Sequence, residues 1–233
     1  MEPDNQKPGA GAGDDVSTTL NRPFGRLFAW LDMLVVDHGF LRLGWRRGHA
    51  VRPDFYRSSQ PAPFQVRRVA NFGIRTIVNL RGANNSGHYH LEREAAAVAG
   101  LALVNFPIKS RRALPKATVL QALDLFGRIE YPVLVHCKSG VDRTGLMSAL
   151  YLLSQGESAN TALRQFARRF GYIGSGPTGI GKAFVEAYRD ADAQSRIDFR
   201  SWVEGEYDPE ALTAAFRPTT VSRVLVNYIL RRE

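Results

Sequence analysis

His136-Cys137-Lys138-Ser139-Gly140-Val141-Asp142-Arg143-Thr144-Gly145 is the stretch that decides how this chain folds. Ahead of it, the apolar run Pro132-Val133-Leu134-Val135 predicts a short buried strand. Behind it, Leu146, Met147, Leu150 and Leu153 recur at helical spacing, so Thr144 to Ser154 reads as a helix. The decapeptide is therefore a tight turn from a strand end into a helix start. Backbone N–H groups and the positive end of the helix dipole converge there, which makes an anion site. The same field favours an ionised sulfur at Cys137, the one cysteine of the chain. Arg143, six residues on, offers a planar fork matched to two oxygens of a phosphoryl group. Nucleophile, anion cradle and bidentate clamp fall within seven residues.

Working outward, strands alternate with helices. Ile74 to Leu80 and Leu101 to Ile108 are β-rich, with a helical stretch between them ending at Gly100. Pro115 opens a helix whose apolar face is Val119, Leu120, Leu123 and Phe126. Ser158 is placed to cap another, carrying Leu163, Phe166, Ala167 and Phe170. This alternation predicts an α/β fold with a central, largely parallel sheet flanked by helices. In such sheets ligands bind beyond the carboxyl ends of the strands, where Cys137 falls. Leu20 to Trp45 is mostly apolar, with Phe24, Leu27, Phe28, Leu31, Leu34 and Val35 at helical intervals and flanking arginines. It reads as a helix packed on the domain, with an interfacial helix on acidic lipid as the alternative. Residues 1–19 form a polar tail without the apolar run of a signal peptide. Residues 20–205 form the domain with its N-terminal helical extension, and 206–233 a C-terminal basic helical extension in which Val221, Val224, Leu225 and Tyr228 share a face.

The decapeptide resembles the signature loop of cysteine-dependent phosphatases of the tyrosine and dual-specificity superfamily, His-Cys-x5-Arg-Thr/Ser. Phe55-Tyr56-Arg57-Ser58-Ser59-Gln60-Pro61 and Gly73-Ile74-Arg75-Thr76-Ile77-Val78-Asn79-Leu80-Arg81 are similar to the N-terminal half of bacterial dual-specificity-like domains. The likeness spans roughly residues 50 to 190. It implies a tyrosine/dual-specificity phosphatase-like fold and hydrolysis of phosphomonoesters through a phosphocysteine, with no metal and no cofactor. Cys137 is then the nucleophile and Arg143 the clamp, and Thr144 hydrogen-bonds the departing thiolate. Lys138, Ser139, Gly140 and Val141 line the substrate phosphate. A rhodanese-type loop also places a cysteine after a strand, but it does not call for the Arg-Thr pair.

The family pattern breaks at the acid. The expected aspartate, some 30 residues before the nucleophile, is missing from Phe106 to Pro115, where Ser110 stands in its place. Asp142, inside the loop itself, is the expected replacement, with bracing of the loop by hydrogen bonding as the alternative. The Asp-Arg-Thr ending is similar to that of myotubularin-like, Sac-type and inositol-polyphosphate 4-phosphatase-like lipid phosphatases. Lys109, Arg111, Arg112 and Lys116 stand where the acid is absent, and Arg111 and Arg112 are expected at a basic rim of the pocket.

A net charge of +9 and a pI near 10 favour anionic partners. No nucleic-acid module is recognisable, so nucleic acid is not expected. Two substrate classes follow, a phosphorylated protein or an anionic phospholipid, with a non-catalytic phosphate-binding module as the remaining alternative. A single cysteine points to a reducing, cytoplasmic setting, with peripheral contact on the inner membrane face if the substrate is lipid. Gly176-Pro177-Thr178-Gly179-Ile180-Gly181-Lys182 has nucleotide-loop spacing, but Ala183 supplies no hydroxyl for magnesium. His88-Tyr89-His90 and Glu92 could suggest a metal site, but without a third convincing ligand they read as a surface loop.

Overall fold

The computed structural model describes residue 20 and residues 23–37, 48–174 and 176–217. The run Val133-Leu134-Val135-His136-Cys137 forms strand β5 (Val133–Cys137), every residue of which is buried. Its neighbours are β1 (His49–Arg52), β2 (Phe55–Ser59), β3 (Thr76–Asn79) and β4 (Ala102–Asn105), in spatial order β1-β2-β5-β3-β4. β1 runs antiparallel to β2, and the other three pairings are parallel. The sheet is thus largely parallel, as the alternation of strands and helices requires. Register sets Ser59 beside Cys137 and Asn79 beside His136, so the polar carboxyl ends of the three central strands lie side by side.

Alternate residues of the strands feed two cores. Val78, Val133 and Val135 face the larger one, built with α4 (Lys116–Phe126), α5 (Asp142–Ser154), α7 (Ile180–Ser195) and α8 (Phe199–Gly205). Ile77 faces the smaller one with Val66 of α2 (Pro63–Asn71) and Ala96 of α3 (Gly87–Val98). Helix α5 is buried from Thr144 to Leu153 because it lies between the sheet and the C-terminal helices. Burying its apolar side chains, at roughly 2 kcal/mol for each large one, anchors the helix whose first turn carries the site. Phe55, Phe126 and Tyr151 lock strand to helix, the Phe55 and Tyr151 rings stacking at 4.0 Å. Tyr207 is buried in the same core and donates to the Leu114 carbonyl at 2.8 Å. Helix α9 (Pro209–Ala215) follows it, capped by Asp208. Residues 1–19 and the Val221–Tyr228 face lie outside the described residues.

Three expectations need correction. Helix α6 (Ala159–Leu163) is capped by Ser158 as expected but stops at Leu163. Two 3₁₀ turns, Arg164–Phe166 and Arg168–Phe170, replace the continuous helix because Ala167 between them is extended. His88, His90 and Glu92 do not lie on a surface loop. They are buried in the first turns of α3, under the N-terminal segment. That segment is helix α1 (Gly25–Leu31) continued by a π-turn (Asp32–Val36). It packs on α3 through Ala29 and Met33, which cluster with Leu20, Ala62 and Leu91. Phe24, Leu27, Phe28, Leu31 and Val35 face outward instead, Phe28 being 64% exposed. Gly87 permits the approach, since a Cβ there would lie 2.5 Å from the Ala29 carbonyl oxygen. The Gly87 N–H donates to Asp32 at 2.8 Å, and Arg26 makes a bidentate contact with Glu94. Among the described residues no helix is long and apolar enough to cross a membrane.

Candidate active site

The loop after β5 is shaped by a buried cation that sequence reading did not single out. Arg57, on β2 and only 1% exposed, donates from Nη2 to the carbonyls of Gly140 (2.9 Å) and Val141 (3.1 Å). Its Nη1 holds the carbonyl and side-chain oxygen of Gln165 at 2.7 and 3.0 Å, and the guanidinium lies 4.1 Å from the Phe170 ring centroid. With two loop carbonyls turned toward Arg57, the N–H groups of Ser139, Gly140 and Val141 donate to no backbone carbonyl among the described residues. Unspent donors at the start of a helix are what an anion binds. Burial pushes Arg57 down to about 10, against the opposing pull of Cys137, so it stays charged at neutral pH and its field reaches the loop. Gly140 takes a φ of +73°, and a Cβ there would lie 2.5 Å from the backbone of Ser58 and Ser59. Glycine is therefore required at this position.

Cys137 closes β5, is 2% exposed and belongs to the larger core; its neighbour Lys138, and not Cys137 itself, is among the residues walling the adjoining cleft. Thr144, fully buried in the first turn of α5, has a hydroxyl oxygen with no hydrogen-bond partner among the described residues. A cleft of about 440 Å³ is walled by Lys138 and Arg143 from the loop, Arg81 from the end of β3, and Lys109, Arg111 and Arg112 from the segment between β4 and α4. The expected basic rim therefore meets the signature loop at one pocket. Asp142, the first residue of α5, is not among the residues walling this cleft. Its charge is felt by Arg57 and by the buried Tyr172, whose phenol is raised chiefly by burial and then by Asp142.

A polar chain underlies the loop. His136 Nε2 lies 2.7 Å from Glu92 Oε1, both fully buried. Gln60 Nε2 donates to Glu92 Oε2 at 2.8 Å, and Arg81 donates to the Gln60 side-chain oxygen. Arg81 also forks onto Asp37, with both contacts at 2.9 Å, and Lys138 Nζ sits 3.3 Å from the same carboxylate. Arg57, Gln60, Arg81, Glu92 and Asp37 carry no local signature for this arrangement, because each partner comes from a different segment.

Residues 46–174 match the family model described as a DSP-PTPase phosphatase fused to NAD+ kinase. This chain belongs to the cysteine-dependent phosphatases of the dual-specificity and tyrosine type. The dual specificity protein phosphatase TpbA of Pseudomonas aeruginosa is 29% identical over 123 residues, 52% of this chain and 53% of that protein. The chain spans about half the length of the curated relatives it matches. Among solved structures, the catalytic core of the PP-IP phosphatase Siw14 from S. cerevisiae aligns with a TM-score of 0.50 at 20% identity, covering 66% of this chain and 93% of that one. Tk-PTP aligns with the same TM-score at 21% identity, covering 65% and 99%. At those identities the structural likeness concerns the fold, which is the tyrosine/dual-specificity phosphatase fold.

Proposed function

We propose that this chain hydrolyses phosphomonoesters without metal, through a phosphocysteine, and that its substrates are phosphorylated proteins. The observation carrying this reading is the Arg57 grip on the loop, which frees the amides of Ser139 to Val141 beside Cys137, while Lys138 and Arg143 wall the adjoining cleft. The Cys137 thiolate attacks phosphorus in line, forming the S–P bond as the ester P–O bond breaks. Arg143 and the free amides hold the equatorial oxygens as charge redistributes. The leaving oxygen takes a proton from Asp142. Water then attacks the phosphocysteine, giving its proton to Asp142 and phosphate to solution, and sulfur departs as thiolate. The unpartnered Thr144 hydroxyl is available to donate to that sulfur. Arg111 and Arg112 draw anionic substrates to the cleft.

The phosphoprotein reading is supported by the name of the curated relative TpbA. The test is phosphate release from phosphotyrosine peptides, phosphoinositides and phosphatidylglycerophosphate, with Cys137→Ser as blank and a chelator arm. Release from the peptides, unchanged by chelator, is the expected result. Release from the lipids alone would overturn the substrate, and no release from any of them would overturn the activity. Asp142→Asn is expected to slow an alkyl phosphate at least about tenfold more than p-nitrophenyl phosphate, whose leaving group needs little protonation. Equal slowing of both would remove Asp142 as the acid.

A further inference from the structure

Asp37 pairs with two cations of the cleft wall, Arg81 and Lys138, and it lies upstream of the family match at residues 46–174. It follows the π-turn that ends α1 and is 6% exposed. Its two oxygens accept both contacts of the Arg81 fork at 2.9 Å, and Oδ1 is 3.3 Å from Lys138 Nζ. His88 Nδ1 lies 3.9 Å from Oδ2. Arg81 and Lys138 are themselves largely buried, so these pairs are shielded from solvent and their energies are not screened away.

We propose that Asp37 is a specificity-determining residue that ties up Arg81 and Lys138 of the cleft wall and so confines substrate to a single phosphoryl group. The inference rests on reading the cleft as the phosphoryl site. A single phosphoryl group needs Arg143 and the loop amides, whereas Asp37 is paired with Arg81 and Lys138. A second phosphate on the same substrate would seek the next cations along the wall, Arg81 and Lys138. There it meets a carboxylate already seated in a bidentate fork, the geometry a phosphate would itself adopt. Like charge and an occupied donor set both act against it. The selectivity thus comes from a built-in anion carried by the N-terminal segment, whose place is fixed by Asp32 on the Gly87 N–H and by Ala29 and Met33 against α3.

Titration calorimetry of the full chain with orthophosphate and with pyrophosphate tests the proposal, in a Cys137→Ser background so that no turnover enters. Asp37→Asn is expected to tighten pyrophosphate binding about tenfold and orthophosphate by less than about twofold. Asp37→Glu keeps the charge and is expected to keep the parental ratio of the two affinities. An unchanged ratio in Asp37→Asn, or weaker binding of both ions, would overturn the proposal, the latter by showing that Asp37 presents Arg81 and Lys138 to the substrate. If Asp37→Asn does not fold, a parental protein that binds pyrophosphate about tenfold tighter than orthophosphate overturns it equally. Failure of the phosphatase reading shows elsewhere, as an absence of phosphate release from the chain with Cys137 intact.

Discussion

The loop from His136 to Gly145 and the segment from Gly25 to Asp37 meet at the Lys138–Asp37 pair, yet they are held in opposite ways. In the loop the backbone itself is fixed: Arg57 takes two carbonyls, Gly140 supplies a positive φ, and β5 and α5 bury both ends. In the N-terminal segment a small apolar contact through Ala29 and Met33 is steered by isolated polar pairs at Arg26, Asp32 and Asp37. The loop holds its shape because the Gly140 and Val141 carbonyls are satisfied by the buried Arg57. The segment holds its place through a few contacts, each replaceable singly. Chemistry is assigned to the first and selectivity to the second, which matches the precision each task demands.

The sharpest break of this contrast is Cys137→Ser, expected to lower turnover at least about 10³-fold, some 4 kcal/mol of barrier, with the circular dichroism unchanged. Retained turnover would mean that the loop is scaffold rather than site. Next is Gly140→Ala, which forces a side chain against Ser58 and into a left-handed backbone. A stability loss of about 3 kcal/mol in urea unfolding is expected. Met33→Ala tests the segment's own core and should cost about 2 kcal/mol, at the low end for a buried methionine because the cluster is small. The smallest effect is expected from Phe28→Ser. This side chain faces solvent, and its loss should change stability by less than about 0.5 kcal/mol. A large loss there would mean that the outward face of α1 is covered in solution.

That outward face is where sequence reading went astray. Gly25 to Val36 is apolar on more than one side, so periodicity gives a helix but not its orientation. Leu27, Leu31 and Val35 do share one face, but it is the outward one, and the smaller Ala29 and Met33 make the contact with the domain. His88 and Glu92 misled for a related reason. An Asn/Gly-rich approach at Asn84 to Gly87 suggests a loop, but the polar residues beyond it are buried because each finds a partner across the fold. The helix after Ser158 was legible at its cap, which is local, and not at its end, where Ala167 turns extended.

Short-range spacing alone determined the strand, the turn, the helix and the cysteine–arginine pair, because the five residues between Cys137 and Arg143 form one tight turn whose geometry the covalent chain dictates. The basic rim was also legible, as a run of cations standing where an acid was expected. Only the tertiary structure brought Arg57, Gln60, Arg81, Glu92 and Asp37 to the underside and wall of the cleft. These residues sit on separate elements, and each is polar or charged in a way that a solvated surface would tolerate equally. Their roles exist only once burial removes water and leaves one another as the remaining partners.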